Sequence, residues 1–443
     1  MVNEFKNKKI ILPLIFGVLF SILYYILPIK YFGASIVGFI AIILVFYDIR
    51  MGILAGVSIV PFLPDTLNIL YMIFLVGVFA YQRITKKDVE PLTKSPIDMP
   101  IILFGIIIMI STITSINPTG SFRDLAIHLS GLGFLFVMVN SIRDLEDFNK
   151  VVTILVFSAT LVALYGLYQY VVGVEMDPAW VDTENNQGVT TRIYSVFGNP
   201  NILAEYLLMT IPMSVGLFWH SKKLSKKVIF LGSTLIMMLA LVLTLSRGAW
   251  VGIAMAALIF IILVDKRILL SIIPLSLGAV YLLPQTILNR IVSIGNLQDS
   301  SNAYRIEMWG ITADIIRDNW MVGVGFGHLP FKQTFETYIR TLPTYHAHNT
   351  YLQIAAEIGI PGLIAFLFFI FILFKYGIHK LIKNENKYIN VMGAGSLAVI
   401  GGLLAQGLSE NVFYLPKIII TFWILVSFIL TLIRISEKEE NLS

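Results

Sequence analysis

Tyr345-His346-Ala347-His348-Asn349-Thr350-Tyr351-Leu352 marks the point where the longest polar stretch of the chain, residues 285–349, runs into an apolar one, residues 350–374. Spans of a bilayer need about 20 mostly apolar residues. Thirteen further apolar segments surround that junction: 10–28, 32–47, 51–64, 66–83, 98–115, 124–141, 148–173, 199–219, 228–246, 248–264, 268–284, 388–410 and 416–434. The chain is 57% hydrophobic and 13% charged, against roughly 25% charged in soluble domains. The expected fold is all-α, a polytopic membrane helical bundle of about 12–14 spans with a long extracytoplasmic loop containing helices. In domain terms, residues 1–284 and 350–443 are bundle and residues 285–349 are the loop. The sequence has no cysteine, which excludes disulfides, thiolate catalysis and Cys-ligated metals. The net charge of +5 is modest, and no nucleic-acid partner is expected.

Placement of charge matters more than its total. With the N-terminus inside, 22 of the 32 Lys and Arg fall in cytoplasmic loops and 10 outside. Basic residues favour the cytoplasmic side, so the loops 174–198 and 285–349 are expected outside. Lys6, Lys8 and Lys9 precede an apolar run with no small-residue cleavage site after it, so that run is taken as a retained helix.

Ionisable residues inside spans are costly and commonly mark function. Asp124, His128, Glu205, Glu357 and Glu410 all fall in the outer half of the membrane on this topology. Their common position points to a polar cavity open to the outside; interfacial snorkelling or a buried hydrogen bond is the plainer alternative for each one. Along the helix expected over 303–318, Glu307, Asp314 and Asp318 share one side. Arg305 lies on the other with Trp309, Thr312 and Ile316. An arginine in a first helical turn opposes the dipole but builds an anion site; otherwise it lies along the membrane surface on lipid phosphate. Arg247 stands in the short turn Leu245-Ser246-Arg247-Gly248, either in the cavity or as an interfacial anchor with Trp250. Arg192 can reach the same cavity. Asn199 and Asn201 flank Pro200 at a helix start, where capping is the plainer role.

His346 and His348 precede Asn349 at the mouth of span 350–374. On a helix, residues two apart point about 200° apart, which prevents both from holding one metal; an extended segment would allow it. The outside loops hold no carboxylate triplet, so no metal site is expected. A histidine at the outer surface suits general-base work. Gly323-Val324-Gly325-Phe326-Gly327 follows no strand and is expected as a turn, not a nucleotide site.

Together these residues resemble the O-antigen ligase and O-antigen polymerase superfamily of bacterial membrane glycosyltransferases. The motifs are Phe197-Gly198-Asn199-Pro200-Asn201 with Ala204; Ser246-Arg247-Gly248; Arg305 with Trp309, Ala313 and Ile316; Asn319-Trp320 with the glycine-rich turn; and His346-Ala347-His348-Asn349-Thr350-Tyr351-Leu352 running into Glu357-Ile358-Gly359-Ile360-Pro361-Gly362. Their order covers roughly 190 to 365; the first 150 residues share only hydropathy. The resemblance implies a GT-C-like, metal-independent, inverting enzyme of the cytoplasmic (inner) membrane with its active site outside and no cofactor. Its donor would be an undecaprenyl-diphosphate-linked glycan in the lipid bilayer, and its acceptor a hydroxyl on a glycan, lipid or protein. Arg247 and Arg305 would hold the leaving diphosphate and His348 would activate the acceptor. Arg192, Asn201, Glu205, His346, Asn349 and Glu357 are candidates for donor or acceptor binding. The alternatives are a lipid-linked oligosaccharide flippase or transporter, and a structural partner of a cell-wall synthase.

Overall fold

The computed structural model of the chain describes residues 16–440 apart from 19, 23, 27, 87–89, 176–190, 271–277, 279–283, 296–299 and 343. Among the described residues all regular structure is helical, and ten helices are long and apolar enough to cross a membrane. The chain is a multi-pass helical membrane protein, the class its composition dictates. Among the described residues the long spans number fewer than the about 12–14 expected of the whole chain. Segments 51–64 and 98–115 fold as shorter apolar helices, Ile49–Ile59 and Asp98–Ile113. Most of 268–284, the start of 10–28 and most of the loop 174–198 lie outside the described residues.

In chain order the helices are α1 (Ile29–Tyr47), α2 (Ile49–Ile59), α3 (Asp65–Thr85), α4 (Asp98–Ile113), α5 (Pro118–Ser141), α6 (Leu145–Val172), α7 (Pro200–His220), α8 (Leu224–Leu243) and α9 (Arg247–Asp265). The polar stretch supplies α10 (Gln285–Val292), α11 (Ser300–Asp318) and α12 (His328–Tyr338), and the bundle resumes with α13 (Thr350–Leu381), α14 (Lys387–Gln406) and α15 (Pro416–Glu440). A helix that is apolar all round belongs in the interior. That describes α15, whose Phe422, Trp423 and Phe428 are fully buried and which packs against α5, α13 and α14.

Close helix contact inside a membrane depends on small residues rather than on expulsion from lipid. The α9–α14 pair shows this. A Cβ on Gly402 would lie 2.6 Å from the Gly252 carbonyl oxygen and 2.8 Å from the Ala256 methyl. The two backbones touch because neither glycine carries a side chain.

In α13 the helical path breaks at Gly359, whose φ of 73° lies in the left-handed region. Into that break docks the stretch after α11: Ile360 N–H donates to the Trp320 carbonyl at 2.7 Å, and Val324 N–H to the Ala356 carbonyl at 2.9 Å. The glycine-rich segment is thus a turn fixed against α13, as expected.

The two ends of the bundle differ in character. At one end are ion pairs of the basic loops: Arg50–Asp147 at 2.6 Å, Lys380–Glu437 at 3.3 Å and Lys438–Glu90 at 3.5 Å. At the other end gather residues 191–199, 244–246, α10 to α12 and the connection 407–415.

Gly402→Val should force α9 and α14 apart at a cost of about 1–3 kcal/mol. The check is a lower midpoint of thermal unfolding in detergent, with Ala256→Gly, which adds no bulk, as the milder control.

Candidate active site

Two short connections build the centre of the site. Residues 344–349 are not helical, and His348 takes a φ of 47°, a strained value for a residue with a side chain. The strain is held by hydrogen bonds. Ala347 N–H donates to Gln353 Oε1 at 2.7 Å, and His348 N–H to His346 Nδ1 at 3.3 Å. Asn349 caps α13, accepting from Tyr351 and Leu352 N–H, and its Nδ2 donates to the Leu408 carbonyl at 2.9 Å. Thr350 completes the clamp: its N–H donates to the Gly407 carbonyl at 2.8 Å and its hydroxyl to the Glu410 carbonyl at 2.9 Å. Residues 407–415 are thereby fixed across residues 344–349.

This clamp positions Glu410. The expected span 388–410 had put it at the outer end of a helix. Instead α14 ends at Gln406, where Gly407 forms the C-cap, and Glu410 stands in the connection to α15. Its Oε1 accepts from His348 Nδ1 at 2.8 Å, with His346 Nδ1 at 3.7 Å. Its Oε2 lies 3.8 Å from Arg305 Nη2 and accepts from Asn201 Nδ2 at 3.4 Å. Burial pushes the Glu410 carboxyl up, but His348, His346 and Arg305 outweigh it and hold the group well below the usual carboxylate range. Burial, then the proximity of His348, pushes His346 down to about 3, so His346 stays neutral. Beside an ionised Glu410, His348 Nδ1 is the donor, which leaves Nε2 as the basic nitrogen.

Beyond Glu410 lies a chamber of four arginines. Arg192, before α7, donates from Nε to the Thr244 carbonyl at 2.7 Å and from Nη2 to Asn201 Oδ1 at 2.9 Å. Arg247 starts α9, just after Leu245, a second non-glycine residue with positive φ at 54°. Its Nη1 donates to the Ser293 carbonyl at 3.0 Å. Arg290 projects from α10 and donates from Nε to the Leu245 carbonyl at 3.2 Å. Arg305, from α11, donates to Ser301 Oγ at 3.3 Å, while its buried Nε has no hydrogen-bond partner. Thr312 and Ile316 on the same side of α11 are buried, with Asp314 and Asp318 exposed opposite. Burial, then Arg290, Arg247 and Arg305 in turn, brings Arg192 down to about 9. Four guanidinium groups sharing a buried space make a strong site for a multivalent anion.

The structure gathers Arg192, Asn201, Arg247, Arg305, His346 and His348 around Glu410. Asn349 adjoins them as a cap. Glu205 sits deeper, buried and accepting from Gln406 Nε2 at 3.2 Å. Glu357 goes elsewhere: it accepts from Gly327 N–H at 3.0 Å and Gln353 Nε2 at 2.6 Å. With Asp124, His128 and Tyr414 it lines a cavity of about 50 Å³. At that cavity His328 Nδ1 and Asp124 Oδ2 are 2.9 Å apart. Two residues of the centre were not among the candidates. Glu410 had registered only as an outer-half carboxylate; its neighbours come from α7, α11 and the stretch before α13. Arg290 had a weak signal, one cation among Ile and Val on a short amphipathic stretch.

His346, His348 and Glu410 offer ligand atoms within 4.8 Å of one another, a spacing that can hold a metal ion. The helical geometry that would keep the histidines apart does not apply, because the segment is a non-helical bend with a positive φ at His348. Arg305 already supplies positive charge to the same carboxylate, which disfavours a cation there.

Residues 232–367 match the O-antigen ligase family model. The chain is similar to that family over this stretch, as its motifs imply. The stretch includes Arg247, Arg290, Arg305, His346 and His348, whereas Arg192, Asn201 and Glu410 lie outside it. No curated protein matches the chain.

A depressed carboxyl contributes stability above its unfolded value, near 4.3, and loses it as pH falls through the folded one. The melting temperature of the wild type should therefore fall more steeply between about pH 5 and pH 3 than that of Glu410→Gln. Parallel pH dependence of the two proteins would remove Glu410 from this balance.

Proposed function

We propose that the chain is a glycosyltransferase of the O-antigen ligase and polymerase type, moving a glycan from a polyprenyl diphosphate to an acceptor hydroxyl outside the cytoplasmic membrane. The observation that carries the proposal is the sequence of contacts from His348 through Glu410 to Arg305 and the arginine chamber: a base on one side, an anion site on the other. Family resemblance and the bias of basic loops to the opposite end support the donor and the orientation. In this reading Arg192, Arg247, Arg290 and Arg305 bind the diphosphate. Their charge also stabilises it as the bond from the anomeric carbon to the diphosphate oxygen breaks. The acceptor oxygen attacks from the opposite face, inverting the anomeric carbon, and its proton passes to His348 Nε2. Glu410 keeps the imidazole in the required tautomer and stabilises the imidazolium that forms, as the aspartate does in a Ser-His-Asp triad. The acceptor is a glycan, lipid or protein hydroxyl. A flippase would need a polar path across the bundle, and α15 carries no ionisable residue between Lys417 and Arg434.

His348→Ala should lose roughly 10²–10⁴-fold in single-turnover transfer, the usual contribution of a positioned base, with donor binding retained. Arg247→Ala, Arg290→Ala and Arg305→Ala should weaken donor binding as well as transfer, with poor rescue by Lys where the contact is bidentate. His346→Ala should be milder. Near-normal transfer by a correctly inserted His348→Ala protein would remove the histidine from the chemistry.

Transfer should persist in excess EDTA, because the arginines supply the charge a metal would. Loss of activity restored by Mg²⁺ or Mn²⁺ would instead make His346, His348 and Glu410 a metal site.

A further inference from the structure

At the end of the bundle opposite the arginines, a groove of about 910 Å³ opens among α2, α6, α7, α8 and α14. Helix α7 begins at the arginine chamber and ends at this groove. Its 21 residues place the two about 30 Å apart, near the thickness of a bilayer's hydrocarbon core. The walls are apolar: Leu54, Ile154, Leu217, Ile229 and Phe230. The floor is polar and already satisfied, with the Tyr388 hydroxyl donating to Asn149 Oδ1 at 3.0 Å and its ring 4.8 Å from that of His220.

The rim is charged unevenly. Lys150 is engaged by Glu146 at 2.8 Å and Asp147 at 3.6 Å. Lys226, on the other side, has no ion-pair partner among the described residues, and Lys222, Lys223 and Lys227 stand beside it in sequence. Helix α8, which carries Ile229, turns most of its apolar surface outward. The groove thus adjoins apolar surface that faces outward, and at its rim Lys226 has no ion-pair partner among the described residues.

We propose that this groove holds an anionic phospholipid of the leaflet opposite the arginine chamber, its phosphate at Lys226 and an acyl chain against Leu217, Ile229 and Phe230. Basic pockets between spans on the cytoplasmic side suit such headgroups, and a single lysine contributes about fivefold in affinity there. The glycan donor is not the occupant, because its diphosphate belongs about 30 Å away at the other end of α7. A lipid here fills the groove lined by Thr153 and Ile154 of α6 and by Ile229 and Phe230 of α8.

The experiment is native mass spectrometry of the full-length protein equilibrated with equal amounts of phosphatidylglycerol and phosphatidylcholine. Wild-type protein should retain phosphatidylglycerol preferentially. Lys226→Gln should reduce that retention about fivefold, and Thr153→Trp, which fills the groove from α6, should abolish it. Neither change touches the arginine chamber, so transfer chemistry can fail or survive independently of this result. Equal retention of the two lipids by the wild type, or undiminished phosphatidylglycerol retention in both variants, would overturn the proposal.

Discussion

The hydrogen bond between His348 Nδ1 and Glu410, at 2.8 Å, is the contact on which the site's arrangement depends. A buried carboxylate is tolerated only when its charge is matched. Glu410 is matched by a histidine on one side and by Arg305 and the Asn201–Arg192 chain on the other. It therefore fixes both halves of the site in one place. The backbone clamp made by Asn349 and Thr350 is what brings that carboxylate to the histidine. Without it, only the Ala347 and His348 N–H bonds would hold the positive φ of His348.

Much of the scaffold was legible because its signals are local. Apolar run length gives the helices, the alternation of basic loops gives the two ends, and helical periodicity places Arg305 on the buried side of α11. The glycine-rich stretch could be read as a turn because no strand precedes it. What escaped depends on three-dimensional convergence. Glu410 gains its role from side chains more than 60 residues away in sequence. Glu357 shares the arginines' end of the bundle, yet the break at Gly359 and the docked turn direct it to a separate cavity. The angle between His346 and His348 follows from a bent backbone, with a positive φ at His348, that periodicity alone could not choose.

Charge is segregated along the long axis of the bundle. The arginines crowd one end although the basic loops mark the other, an exception to the general bias that suits the proposed binding of an anion. At the opposite end the lysines are solvated or paired, and Lys226 stands exposed at the rim of its groove. Between Lys417 and Arg434, α15 carries no ionisable residue, so the two charged ends are separated by an apolar core.

The site is also a statement about modularity. The family-matched stretch holds three of the four arginines and both histidines, yet the carboxylate that aligns them arrives from beyond its C-terminal boundary, and Arg192 and Asn201 from before its N-terminal one. A fragment excised at those boundaries would retain most of the reactive groups and lose the counter-charge that keeps them together. The smallest unit able to assemble this constellation is thus wider than the segment by which it is recognised. Domain exchange between such chains has to carry α7 and the α14–α15 connection along with the loop.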